Sequence, residues 1–339
     1  MPDLSVELAG LRLKNPVICA AGEMTSTAAQ IMAAVDAGAA AVVAKSANES
    51  EAARAQLAAA EYVALDPGWR SAADPTEAGT SLFNRSGLVA VPFDEWLATL
   101  AAADAYAAER DAFVIASLIV ADLERAAEMA AAIQAAGVRC LELNLGAPHG
   151  GEAEPGAIET VHAAARAAEV VARVRRAVTI PLLVKLTADG VDLLAIASAA
   201  HAAGADALVI GGRHLGFLPD PDTRRPVLGT YAAIGGGWAL PLSLRWVAKA
   251  RERLGPGADL VATNGVRSGA DVIRCLLAGA SAAEVYTVVH HAGPAVLTRT
   301  LDEVAAAAGR AGAARVADLI GEAADNTLTY AQAAAKGGR

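Results

Sequence analysis

Two lysines stand inside otherwise apolar runs: Lys45 closes Ala41–Lys45 (AVVAK) and Lys185 lies in Pro181–Leu186 (PLLVKL). An ammonium in such a run is costly unless it meets an anion or a polar partner. The other arrangement open to it is a strand-end lysine whose amine reaches water along its own stem. Two glycine clusters supply a second signal, Ile234-Gly235-Gly236-Gly237 and Asn264-Gly265-Val266-Arg267-Ser268-Gly269, each ahead of a stretch of helix formers. Backbone N–H groups from such turns, aimed with a helix N-terminus, make a phosphate site; ordinary strand-to-helix turns look the same in sequence. Together with the lysines, the clusters favour a phosphorylated cofactor or substrate. His149 and His214 fall in strand-end loops, where a histidine can serve as acid or base near neutral pH. His162 and His201 fall on helices, and the adjacent pair His290-His291 is poorly placed to share one metal. Cys19, Cys140 and Cys275 are far apart, which excludes a zinc or iron–sulfur thiolate cluster and a disulfide framework, and points to a reducing cytoplasm. No metal site is expected.

The elements that must position these residues read as a repeated alternation. Short β-branched runs occur at Pro16–Ala20, Ala41–Lys45, Phe113–Leu118, Cys140–Leu145, Pro181–Leu186, Asp206–Ile210, Asp259–Thr263 and Ala283–Thr287. Between them lie Ala/Glu/Arg-rich stretches with strong helix propensity, such as Thr27–Ala37, Leu123–Ala136, Ile158–Arg176 and Val191–Ala203. Ala37-Gly38, Ala136-Gly137, Ala203-Gly204 and Ala278-Gly279 supply left-handed helix caps before the next strand. Eight strand–helix units predict an α/β fold, a single (β/α)8 TIM barrel over residues 1–320 with a tail over 321–339; an open doubly wound sheet is the alternative. Ala64–Val91 and Gly211–Gly237 read as long loops after strands two and six, on the face where barrels build their sites. That face also receives Lys45-Ser46, Asn144, Lys185-Leu186-Thr187, Gly211-Gly212-Arg213-His214, Thr263-Asn264-Gly265 and Tyr286-Thr287.

Composition narrows the classes further. With 55% hydrophobic residues in 339, the chain has ample surface to bury and is not disordered. Charges, glycines and prolines break every apolar run before the roughly 18 residues a membrane span needs, and Met1-Pro2-Asp3-Leu4 does not open a secretory signal. The net charge of −9 and the lack of a basic stripe argue against nucleic acid.

These residues resemble the dihydroorotate dehydrogenase family, and also the pyrimidine-reducing barrel of dihydropyrimidine dehydrogenase, from about Leu4 to about Ala307. The resemblance rests on Asn15-Pro16-Val17-Ile18 with Ala21-Gly22, on Lys45-Ser46, and on Asn84-Arg85-Ser86-Gly87-Leu88. It continues through Leu141-Glu142-Leu143-Asn144 with Pro148-His149-Gly150, Val184-Lys185-Leu186, Gly235-Gly236-Gly237, Asn264 to Asp271, and Leu277-Ala278-Gly279-Ala280. It implies a TIM barrel holding FMN across its C-terminal mouth. The cofactor set it implies is Ala21, Gly22, Lys45, Ser46, Asn144, Lys185, Gly211, Gly236, Gly237, Asn264, Gly265, Tyr286 and Thr287. In that set, the Ala21-Gly22 backbone lies along the flavin. Lys185 offsets charge at the flavin N1/O2 edge, and Gly236, Gly237, Asn264, Gly265 and Thr287 form the phosphate cradle.

Departures from the family pattern concentrate on the substrate side. The family's catalytic Cys or Ser position is Ala147, which can neither take nor give a proton. The asparagine expected after strand six is replaced within Gly211-Gly212-Arg213, and the one expected after Gly87-Leu88 is absent from Val89-Ala90. Tyr286 stands where a glycine is expected, and Asn264 where the first of two glycines is. The expectation is therefore an FMN-dependent oxidoreductase acting on CH–CH groups of a small molecule other than dihydroorotate. His149 is the first candidate proton carrier, His214 or Ser86 the second, and Lys45 and Asn84 meet flavin or substrate. The alternatives are a non-redox phosphate-binding lyase, isomerase or binding protein, and a pyrimidine reductase with His149 as the replacement acid. A homodimer is expected from the family and from the frequency of that state.

Overall fold

The computed structural model describes residues 2–50, 53–54, 60–146 and 161–335. Eight parallel strands close into a barrel in sequence order: β1 Val17–Cys19, β2 Ala41–Val43, β3 Phe113–Leu118, β4 Cys140–Asn144, β5 Leu182–Leu186, β6 Ala207–Ile210, β7 Asp259–Ala262 and β8 Ala282–Val285. The registers place Ser117 beside Glu142, Asn144 beside Lys185, and Glu284 beside Ile18. These strands are buried on both faces, by the barrel interior and by the helices, so they read as continuous apolar runs. The chain is thus the (β/α)8 barrel its alternation predicts.

The helices earn their places through one apolar stripe each. Ala164–Arg175 buries Ala167, Val170, Val171 and Val174, while its half-buried Arg173 and Arg175 pair with Glu124 and Asp206 at the edges of that stripe. Thr27 opens the helix Ala28–Asp36 by accepting from the Gln30 N–H, while the Gln30 side chain returns to the Thr27 N–H. Gly38, Gly137, Gly204 and Gly279 all take positive φ after helices, as the Ala-Gly pairs predict. Asp104, 2% exposed on the helix Phe93–Ala108, accepts from the Val114 N–H and from the Arg139 guanidinium, and so pins that helix to β3 and to the entry of β4. An antiparallel hairpin, Val6–Leu8 with Leu11–Leu13, lies at the N-terminal end of the strands, where the Ala9 N–H donates to Asp259.

The two long insertions differ from the predicted loops. Glu61–Leu65 and Ser81–Arg85 are strands, and so are His214–Gly216 and Ala232–Gly236; together they form one antiparallel four-stranded sheet. A small core of Leu65, Phe83 and Ala232 holds it together. The pairing partners lie up to about 150 residues apart in the chain, so no local pattern announces them. Strand eight also ends earlier than predicted: Thr287 begins the helix Thr287–Ala292 instead of closing the strand.

All three cysteines are buried. Burial pushes the Cys19 thiol up to about 12, and those of Cys140 and Cys275 well above the usual range. Among the described residues, no helix is long and apolar enough to cross a membrane, and no three His, Cys, Asp or Glu are placed to hold a metal.

Candidate functional site

The C-terminal ends of the barrel strands and the antiparallel sheet enclose one cavity. Ala20, Ala21, Asn144, Lys185, Thr263 and Glu284 come from the barrel side; Tyr62, Leu82, Asn84, Ser86 and Gly235 come from the sheet. Gly146, Gly212, Arg213, Asn264, Gly265, Tyr286 and Thr287 complete the wall.

At the barrel end, Lys185 meets two carboxylates. Its Nζ lies 2.6 Å from Glu284 Oε2, off the line of a good hydrogen bond, and donates to Glu142 Oε2 at 3.3 Å. Ser117 donates to Glu142 Oε1 at 2.9 Å, and the Ser46 hydroxyl is 2.9 Å from that of Ser117. Burial would lower the Lys185 pKa, but the attraction of Glu142 and Glu284 outweighs it and the ammonium is held above its ordinary value. Burial pushes Glu142 up to about 7, Lys185 opposing and Glu284 adding to the rise. Lys185 is thus a fixed cation whose amine borders the cavity.

Lys45 is arranged differently. Its backbone is clamped on both sides: its N–H donates to the Thr25 carbonyl, and its own carbonyl accepts from Trp96 Nε1 at 3.1 Å. Its Nζ pairs with Glu23 Oε1 and donates to Ser86 Oγ at 2.8 Å. Burial lowers its pKa to about 8; Glu23 works against the fall and the Arg213 charge adds to it. An amine held there can carry a proton at neutral pH, with Ser86 between it and the cavity.

Arg213 follows β6. Its carbonyl accepts from Thr187 Oγ1 at 3.0 Å, and the next strand is tied down where the Leu215 N–H donates to Asp189 at 2.7 Å. Its Nη1 reaches Asn84 Oδ1 at 3.4 Å, and Asn84 Nδ2 reaches the Ala233 carbonyl at the same length. These long contacts leave both side chains available to a ligand.

A third corner is glycine-rich. Gly265, at φ 93°, approaches the start of the helix Leu240–Leu254 so closely that an added Cβ would sit 2.3 Å from the Leu240 nitrogen. At Gly235 an added Cβ would meet Asn264 Oδ1 at 3.0 Å, with Thr287 Oγ1 at 3.9 Å. The helical turn Gly237–Ala239 and the helix Thr287–Ala292 begin here without side-chain caps, so their first N–H groups have no side-chain acceptor. This corner suits an anion such as a phosphate.

The sequence-predicted residues separate into groups. Ala21, Asn84, Ser86, Asn144, Lys185, Asn264, Gly265, Tyr286 and Thr287 border the cavity, and Lys45 reaches it through Ser86. Gly22 does not: the Tyr286 ring covers it, 2.0 Å from where a Cβ would be. Ser46 is spent on Ser117. Gly211, Gly236 and Gly237 are not part of the cavity wall and pack on Thr263 and Ser243, on Ser81, and on Arg267. The His214 ring lies beside Trp238, 5.7 Å between centroids, outside the cavity wall. Ala147 and His149 lie outside the described residues. Sequence reasoning did not single out Glu23, Glu142, Glu284 or Tyr62. The signal for Glu142 and Glu284 was present: each is a charge in an apolar strand, the argument that drew attention to Lys185.

Comparison with known proteins agrees with this geometry. A family model described as dihydroorotate dehydrogenase matches residues 3–307. The chain is 28% identical over 312 residues to the dihydroorotate dehydrogenase B (NAD(+)) catalytic subunit of Thermoplasma acidophilum, covering 90% of this chain and 93% of that one. It is 27% identical over 306 residues to the protein of the same name from Methanocaldococcus jannaschii, covering 89% and 92%. It is 30% identical over 197 residues to dihydroorotate dehydrogenase A (fumarate) of Lactobacillus helveticus, covering 58% and 62%.

Proposed function

The chain belongs to the dihydroorotate dehydrogenase family, and on that premise we propose that it is an FMN-dependent oxidoreductase acting on a CH–CH group of a small molecule other than dihydroorotate. The observation that carries this reading is the single cavity that joins the Lys185 cation, the uncapped glycine corner and the Lys45–Ser86 pair. The residues fit the cofactor. Gly235, Asn264, Gly265 and Thr287 form a corner that would take the phosphate, and a Cβ at Gly235 would crowd Asn264 Oδ1 there at 3.0 Å. Asn144 and Lys185 would hold the ring system, and bound FMN would supply the two-electron acceptor that this chain's side chains lack.

The protein's own part is positioning, charge and proton handling. Lys185, held charged by Glu142 and Glu284, would set a fixed cation beside the ring system, suited to offset the negative charge of its reduced form. The substrate carbon's proton would pass through Ser86 Oγ to the Lys45 amine in its neutral form, the smaller fraction at neutral pH and the larger one above about 8. This route stands in for the thiol or hydroxyl missing at Ala147, and turnover should rise with pH through that value. Asn84 and Arg213 orient the substrate from the sheet side. That side is where the family pattern is rewritten, which is why dihydroorotate is not the expected substrate.

The test is the absorbance spectrum of the purified protein and the mass of the cofactor it releases. Flavin bands and a mass equal to FMN are expected, with no appreciable dihydroorotate oxidation. A colourless protein that takes up no FMN on titration would refute the flavin reading; rapid dihydroorotate turnover would refute only the substrate exclusion. The Tyr286 ring over Gly22 favours a second reading, a non-redox phosphate-binding barrel. Thermal stabilisation of a colourless protein by sugar phosphates would support it.

A further inference from the structure

Arg213 is the cavity's underused cation. Its backbone is fixed by Thr187, yet its guanidinium has five donors and, among the described residues, makes one side-chain hydrogen bond, the 3.4 Å contact to Asn84. The nearby carboxylate, Glu23, is already committed: it pairs with Lys45, and its other oxygen lies 3.4 Å from the Tyr286 hydroxyl. No carboxylate among the described residues comes within ion-pair distance of Arg213. This side of the cavity therefore holds two cations, Lys45 and Arg213, against one anion. An unbalanced, partly buried charge is costly in the empty site and is relieved by an anionic ligand.

Arg213 also presents donors only. An amide side chain there could read a group that both donates and accepts; a guanidinium pairs best with a planar, acceptor-only group, in a two-pronged contact. We propose that the substrate carries a carboxylate that docks on the Arg213 guanidinium, with Asn84 beside it, making Arg213 the specificity-determining residue of the site. This deepens the reading of the cavity as a substrate site and rests on it. Cofactor phosphate is the competing anion, but the uncapped glycine corner at Gly265 and Thr287 already answers to that role.

The experiment titrates the purified protein with fumarate, succinate and benzoate, and with succinamide and benzamide as neutral counterparts, following binding calorimetrically and by thermal shift. FMN binding is measured separately by quenching of flavin fluorescence. Acids are expected to bind and amides not. Arg213→Gln should weaken acid binding about tenfold or more, as loss of charged hydrogen bonds does, and leave FMN binding intact, which also shows that the variant is folded. Arg213→Lys, which keeps the charge but loses the fork, should fall between. Equal binding of amides and acids, or no acid binding at about 10 mM, where even a weak ion pair registers, overturns the proposal. So does an Arg213→Gln variant that loses FMN and keeps the acids, since Arg213 would then serve the phosphate. A protein that takes no FMN yet binds acids through Arg213 refutes the flavin reading and sustains this one.

Discussion

The Lys45 amine should titrate near 8, and Glu23 should be what keeps it from falling further. The Lys45 side chain is 4% exposed, and burial takes its amine down from 10.5. A drop to about 8 corresponds to about 3 kcal/mol of differential cost for the charged form. The Glu23 carboxylate in contact with Nζ offsets part of that cost. An opposite charge at such range shifts a pKa by about 1–3 units, so Glu23→Gln should bring Lys45 to between about 5 and 7. Ser86→Ala removes one neutral hydrogen bond and should move it by about half a unit. The chain has only five lysines, Lys14, Lys45, Lys185, Lys249 and Lys336. Side-chain NMR of lysine-labelled protein can therefore follow each one across pH, with Lys45→Arg giving the assignment. Lys185, between two carboxylates, should stay charged throughout that range and serves as the internal contrast. A Lys45 that titrates at or above 10, or one that rises in Glu23→Gln, would refute the reasoning and remove the proposed proton route with it.

Two further outcomes follow from the same cavity. Glu142 binds its proton more tightly folded than unfolded, so the folded state holds more protons between about 4.5 and about 7, and stability should fall as pH rises through that window. The loss approaches about 3 kcal/mol; urea unfolding at several pH values would show it, and Glu142→Gln should flatten the slope. Gly265→Ala would set a Cβ 2.3 Å from the Leu240 nitrogen at a φ of 93°. It should lower the melting temperature and abolish FMN uptake, at a cost of about 1–3 kcal/mol from backbone strain alone; a variant with unchanged melting and flavin binding would show that the close approach is not required.

The barrel was legible in sequence because each of its strands is buried on both faces, so a short apolar run between alanine-rich helices suffices to mark it. The antiparallel sheet was not. Ala232–Gly236 ends in two glycines and reads as a turn, yet its partner Ser81–Arg85, far away in the chain, stabilises it as a strand. The lysines announced themselves as charges in apolar surroundings, but their difference did not. Lys185 has two carboxylates and Lys45 one, and the carboxylates come from β4, β8 and the turn after β1. Which charge meets which is a property of barrel closure, which brings Glu284 to Lys185 from about a hundred positions along the chain. Arg213 was visible only as a substitution in a loop; its weakly satisfied guanidinium required the cavity to be seen.

The burial of Cys19, Cys140 and Cys275 bears on how the molecule can be handled. A thiol that stays protonated and out of reach of solvent neither exchanges with disulfides nor takes up alkylating reagents. A single cysteine introduced beside the sheet, for instance at the exposed Tyr231 or Phe217 that flank its strands, would then be the one reactive thiol among the described residues. A spin label or dye placed there would report directly on whether the sheet moves against the barrel when the cavity fills, with the native cysteines left in place.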